Sequence, residues 1–138
     1  MPEADVDHIY DYPKGYIEDI LKSVKTIAMV GASGDKTKFS YGVLRVLHET
    51  GYQMLPVNPN PSIKEIRGLK VFHSLKEIDK PVDMVQVFRR KEEFLSVAKE
   101  AIEIKAKVLW GQIGVYDDEA AEIAKNAGLK VVMNRCPK

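Results

Sequence analysis

The sequence predicts an α/β domain of doubly wound type, a five-stranded parallel sheet with helices on both faces. Two observations predict it. Short apolar runs alternate with segments whose apolar residues recur at helical spacing, a pattern that calls for parallel pairing and right-handed crossovers. The length of 138 residues fits one domain, and 45% hydrophobic against 30% charged residues is the balance of a chain that buries a core without staples. The whole chain, 1–138, then reads as a single domain, with 1–24 as an N-terminal extension and helix packing on it.

The elements follow in order. Ile17, Ile20, Leu21 and Val24 fall at helical spacing after a polar, aromatic opening to about Pro13. Thr26 to Val30 is a compact apolar run ending at Gly31, the pattern of a buried strand. A helix with Tyr41, Leu44, Val46, Leu47 and His48 on or near its inner face runs to a stop at Gly51. Gln53 to Val57 is the second strand, and Pro56 predicts an interruption near its end. Asn58-Pro59-Asn60-Pro61 is a dense turn signal. Gly68, Leu69, Val71 and Phe72 form a connection, and Ser74 is placed to cap a brief helix through Leu75 and Ile78. Asp83 to Phe88 is the third strand, followed by a helix carrying Phe94, Leu95, Ala98, Ala101 and Ile102. Ala106 to Trp110 is the fourth strand, with Trp110 read as core. Asp117 caps a helix through Ala120, Ile123, Ala124 and Ala127 that Gly128 closes, and Leu129 to Met133 is the last strand.

Composition removes several function classes. A net charge of +1 argues against a broad nucleic-acid surface while allowing one local basic pocket. The single cysteine, Cys136, forms no intramolecular disulfide, which fits a reducing interior. The acidic N-terminus is unlike a signal peptide, and no segment approaches the ~18 apolar residues of a membrane span, so the expected location is cytoplasmic. His8, His48 and His73 are scattered, without metal-ligand spacing or a Ser/His/Asp set, so no catalysis is expected.

Parallel sheets of this type bind ligands past the C-terminal ends of their strands, which directs attention to five loops. Gly31 to Gly42 joins the first strand to the first long helix. Its glycines let backbone approach a ligand, N–H groups at a helix start attract phosphate, and Ser33, Ser40 and Lys38 add donors. An ordinary strand-to-helix turn is the competing reading. The loop lacks the Gly-Lys-Ser/Thr of a Walker A sequence, and Ser33 and Lys36 stand where the dinucleotide fingerprint has glycine. Asn58 and Pro59 follow Val57 where an acid would hold the ribose of NAD, and nearby Lys64 and Arg67 leave NADP open. Arg89-Arg90-Lys91 places three cations at a helix start, against the helix dipole, so that an anionic ligand would relieve them; a solvated helix start is an equal competing reading. Gly111 and Gly114 permit close approach or a plain turn. Asn134-Arg135-Cys136-Pro137 puts a thiol near any ligand at the binding edge, and the residues by themselves favour the plainer reading of a small, half-buried residue near a frayed end.

Six segments occur in one order: Val30-Gly31-Ala32-Ser33, Tyr41-Gly42-Val43-Leu44, Val57-Asn58-Pro59-Asn60, Val87-Phe88-Arg89-Arg90, Trp110 to Val115, and Val132 to Pro137. Together they resemble the single-domain CoA-binding proteins, which are similar to the N-terminal CoA-binding domain of the succinyl-CoA synthetase α-subunit. The resemblance spans about Lys25 to Pro137. It implies a Rossmann-like site for coenzyme A or an acyl-CoA. Gly31, Ala32, Ser33, Lys38, Ser40 and Tyr41 match the pyrophosphate segment, Val57, Asn58 and Pro59 the adenosine side, and Phe88 and Arg89 the third-strand segment near the nucleotide. Asn134, Cys136 and Pro137 match the segment toward the pantetheine end, where Arg135 departs from the synthetase pattern. The resemblance covers neither the phosphohistidine domain nor the β-subunit of the synthetase, so ligase activity does not follow from it.

Val57 and Phe88 are then expected to pack on adenine, with a cation among Lys64, Arg67, Arg89 and Arg90 on the 3′-phosphate. An NADP-dependent oxidoreductase and a redox protein forming a mixed disulfide between Cys136 and the CoA thiol are the alternatives. A homodimer or a protein partner is open, with Ile9 to Pro13 covering either a neighbour or the chain's own sheet.

Overall fold

The computed structural model describes residues 12–137. Five parallel strands, β1 (Thr26–Val30), β2 (Gln53–Val57), β5 (Met84–Val87), β6 (Val108–Gly111) and β7 (Lys130–Val132), form one sheet in the order β2-β1-β5-β6-β7. The expected α/β doubly wound sheet is therefore present, and each of its strands overlaps the segment that apolar patterning picks out. A second sheet is a two-residue-per-strand antiparallel hairpin, β3 (Glu65–Ile66) and β4 (Leu69–Lys70), where the sequence suggests only a connection. Strands this short leave no periodicity to read.

Strict alternation divides the core. Ala28, Val85, Val87, Leu109 and Val131 face one way, under α3 (Phe94–Glu103) and α4 (Asp118–Asn126). Ile27, Met29, Met84, Val108, Trp110 and Val132 face the other, under α1 (Tyr16–Ser23) and α2 (Phe39–Thr50). Both faces are thus buried, which is why the strands read as continuous apolar runs. The inner face of α2 is Val43, Leu44 and Leu47 with Ser40, whereas Val46 and His48 are only half-buried, a small rotation from the expected face. Asp117 caps α4 as expected, accepting from Ala120 N–H at 2.9 Å. Ser74 precedes a single 3-10 turn, Leu75–Glu77, and its side chain makes no capping bond.

Both outer strands are covered. Pro56 lies in the edge strand β2, where its missing N–H costs no ladder bond on the inner side. Outside it, Phe72 N–H donates to the Pro56 carbonyl at 2.9 Å and Asn58 N–H to the Phe72 carbonyl at 2.9 Å. At β7 two tyrosines from the N-terminal segment take the place of a strand. Tyr16 Oη donates to the Val131 carbonyl at 3.1 Å and accepts from its N–H at 3.3 Å, and Tyr12 Oη accepts from Met133 N–H at 2.6 Å. The two rings stack with centroids 5.5 Å apart. Of the aromatic stretch expected to cover a neighbour or its own sheet, Tyr12 covers its own sheet, and residues 9–11 lie outside the described residues.

Candidate functional site

The strand order reverses between β1 and β5, so the crevice characteristic of such sheets opens past Val30 and Val87. Gly31 stands at that point with φ 93°, the left-handed region, and a Cβ there would collide with the Phe88 carbonyl oxygen and approach Arg89 Cδ to 3.2 Å. Only glycine lets the two strand ends close to this distance.

The three loops at the crevice are tied together. Gly31 and Ala32 donate their N–H groups to the Val57 carbonyl at 3.0 and 3.2 Å. Asn58 Nδ2 donates to the Ala32 carbonyl at 2.8 Å, while its Oδ1 accepts from Asn60 N–H at 2.9 Å. The N–H groups of Gly31 and Ala32 are therefore engaged inward. Within the loop the N–H groups of Ser33, Gly34, Lys36 and Ser40 have no acceptor among the described residues, and these run from the turn into the first turn of α2. Val57 is buried, so its contribution is its carbonyl and not the apolar surface expected of it. Pro59 is exposed at the rim.

Within the loop, Ser33 Oγ accepts from Asp35 N–H at 3.1 Å. Asp35 accepts in turn from the Thr37 hydroxyl at 2.6 Å and the Thr37 N–H at 2.9 Å, and these two bonds hold its carboxyl below the usual range. Lys36 and Lys38 are exposed on either side, Lys38 in extended conformation at the head of α2. Ser40 is buried and Tyr41 half-buried beneath them. Phe39 is 53% exposed and meets Phe88 edge to face, ring centroids 6.3 Å apart. Patterning does not single out Phe39, since one aromatic in a polar loop carries no period.

The cationic run after β5 is partly paired within the chain, two of its arginines sharing one carboxylate. Arg89 Nε donates to Glu93 Oε1 at 2.6 Å, and Arg90 donates from Nε and Nη2 to Glu93 Oε2 at 3.2 and 3.1 Å. These bonds hold the Glu93 carboxyl below its ordinary range. Lys91 Nζ lies over the Tyr116 ring, 5.1 Å from its centroid. Arg67, on the hairpin turn, donates to Glu49 Oε2 at 2.8 Å.

Below the crevice lies a polar pair in the apolar core. Gln86 is fully buried and Gln112 is 3% exposed. Gln86 Nε2 donates to Gln112 Oε1 at 2.9 Å, leaving Gln86 Oε1 and Gln112 Nε2 buried without a partner. The glutamine amid an apolar strand is a visible signal for this pair, though its partner is not.

The C-terminal loop is anchored to the loop after β6. Asn134, at φ 60°, accepts from Gly114 N–H at 2.6 Å. Arg135 N–H donates to the Gly111 carbonyl at 3.2 Å, and Trp110 Nε1 donates to the Arg135 carbonyl at 2.8 Å. A Cβ on Gly111 would collide with the Val115 carbonyl oxygen, which explains a glycine in that strand end. Trp110 is fully buried, as expected of a core residue. Cys136 is half-buried against the α1 and α2 side of the core, and Pro137 is buried. The crevice thus brings together Gly31, Ala32, Ser33, Val57, Asn58, Phe88 and Arg89. Asn134, Cys136 and Pro137 form a separate group on the β6 and β7 side.

No helix among the described residues is long and apolar enough to cross a membrane, and no group of three or more His, Cys, Asp or Glu among them is arranged to hold a metal ion.

Residues 25–138 match the model of the CoA binding domain family. The uncharacterized protein YneT of Bacillus subtilis is 42% identical over 125 residues, 91% of each chain. The alpha subunit of ADP-forming acetate–CoA ligase II from Pyrococcus furiosus is 30% identical over 129 residues, 86% of this chain but 28% of the ligase subunit's length. A solved hypothetical protein from Pyrococcus horikoshii superposes with a TM-score of 0.86 at 34% identity, covering 99% of this chain and 94% of that one. With its sheet order, its crevice and this match over most of its length, the chain belongs to the CoA binding domain family.

Proposed function

We propose that this chain binds coenzyme A, or an acyl-CoA, along the C-terminal edge of its sheet and acts as a binding module without a reaction of its own. The observation that carries the reading is the crevice between β1 and β5. Its floor is closed by glycine against a carbonyl, and its rim offers the N–H groups of Ser33, Gly34, Lys36 and Ser40 to a phosphate. Gly31, Ala32 and Asn58 build that rim, Lys38 adds charge, and Phe88 with Phe39 offers an aromatic surface to adenine. Tyr41 and Ser40 support the head of α2. The pantetheine arm then runs toward Asn134, Cys136 and Pro137. NADP binding has less support, because Arg67, one of the two cations near the second strand that could meet a 2′-phosphate, is paired with Glu49 at 2.8 Å.

Calorimetric titration of the purified chain with CoA, NADP and NAD tests the proposal. Saturable binding of CoA in preference to both nicotinamide nucleotides is expected. NADP binding without a CoA signal overturns it.

A further inference from the structure

We infer that Glu93 is a positioning residue of the ligand site: it aims the terminal nitrogens of Arg89 at the diphosphate of the ligand. The inference rests on the reading of the crevice as a CoA site.

Three observations lead to it. First, Arg89 lies over the crevice, with its Cδ 3.2 Å from where a Cβ on Gly31 would stand. Its guanidinium is therefore set beside the loop whose free N–H groups face a phosphate. Second, Glu93 takes Arg89 by Nε alone, at 2.6 Å, and among the described residues the two terminal nitrogens have no acceptor. That edge of a guanidinium is a planar fork matched to two phosphate oxygens. A ligand can engage it without displacing Glu93. Third, the second Glu93 oxygen is held by Arg90 through two nitrogens at 3.2 and 3.1 Å. Arg90 is 81% exposed while Glu93 is 28% exposed, so Arg90 clamps the carboxylate from outside and Glu93 orients Arg89 from behind. The three residues have unequal parts: one contacts ligand, one aims it, and one fixes the aim. The location over Gly31 assigns Arg89 to the diphosphate rather than to the terminal phosphate monoester on the ribose.

The test is calorimetry of the full chain and of Glu93→Gln, Arg89→Met, Arg90→Met and the Glu93→Gln/Arg89→Met double variant. The ligands are CoA, dephospho-CoA, which lacks the monoester, and pantetheine, which lacks both phosphate groups. Surface ion pairs contribute little to stability, so each variant is expected to fold, as circular dichroism will check. Arg89→Met is expected to weaken CoA and dephospho-CoA equally, by about tenfold, the scale of a lost charge-assisted contact. Glu93→Gln is expected to weaken both by roughly threefold to tenfold and to add nothing once Arg89 is gone. Arg90→Met should have a smaller effect than Glu93→Gln, and pantetheine should respond to none of them.

Wild-type affinity in Glu93→Gln, or tighter binding, overturns the inference while leaving the CoA site intact. So does an Arg89→Met variant that loses CoA affinity but keeps that for dephospho-CoA. Absence of CoA binding by the unaltered chain overturns the site reading and this inference with it.

Discussion

The carbonyl oxygen of Phe88 occupies the space that a side chain on residue 31 would need. Gly31 is also at φ 93°, so alanine there meets both a backbone clash and a left-handed conformation. Gly31→Ala is expected to cost more than about 2 kcal/mol in urea unfolding, with loss of ligand binding because the crevice must splay. Gly42 provides the contrast. It lies inside α2, and a Cβ added there would meet nothing within 4 Å. Gly42→Ala should stabilise by about 0.5–1 kcal/mol through helix propensity. Equal effects at the two positions would contradict the account of the crevice floor.

Gln86 and Gln112 each satisfy one atom of the other and leave one unmet. Replacing only one strips the survivor of its partner inside the core. Gln86→Leu is therefore expected to cost about 1–3 kcal/mol, whereas Gln86→Leu with Gln112→Leu should recover much of that loss, since an apolar pair leaves no buried polar atom. A double-mutant cycle by chemical denaturation reads the coupling. Simple additivity of the two substitutions would show that the amides act independently.

Asp83 ties the opposite end of the sheet. Its carboxylate accepts from Lys25 N–H at 2.8 Å and Thr26 N–H at 3.2 Å, and Lys107 lies 3.6 Å away. Burial pushes its pKa up, but those two N–H groups and Lys107 together outweigh burial and hold the carboxyl below its ordinary value. A depressed folded-state value contributes stability at pH above the unfolded value of about 3.9, lost as pH falls through the folded value. Asp83→Asn should then cost about 1–2 kcal/mol at neutral pH, and the gap to wild type should close below about pH 4. Ligand affinity should not change, because Asp83 is at the N-terminal end of the strands. A gap constant from pH 7 to pH 3 would exclude this role.

The architecture is legible in the sequence because both faces of the sheet are covered. Buried strands such as Thr26–Val30 and Met84–Val87 become apolar runs, and each crossover helix keeps its own period. The hairpin at Glu65–Ile66 and Leu69–Lys70 is not legible, since two residues define no alternation. At the site, Gly31 and Asn58 stand out by their types and positions. Their work differs from what type alone suggests: a donor expected to meet phosphate, the Gly31 N–H, is engaged by Val57. Such partnerships join residues 26 apart in the chain, as with Asn58 and Ala32, and no local pattern encodes them. Glu93 escapes a sequence reading for a different reason. An acid four residues after Arg89 is visible, but a run of three cations points outward to a ligand and does not say which acid folds back onto it.

Tyr12 and Tyr16 cover the outer edge of β7, satisfying backbone groups of Met133 and Val131 that would otherwise face solvent. A hydroxyl that both donates and accepts suits an edge residue whose N–H and carbonyl point outward together. An open strand edge is a template for another chain, so these tyrosines also bear on self-association. Tyr16→Phe is expected to cost about 1 kcal/mol, and Tyr12→Phe with Tyr16→Phe about 2 kcal/mol, in chemical denaturation. Phenylalanine keeps the stacked rings and removes only the hydroxyls, so the change isolates the hydrogen bonds. With the edge uncovered, the double variant should scatter more light than wild type on concentration. Unchanged stability together with unchanged scattering would mean that water serves the β7 edge as well as the tyrosines do.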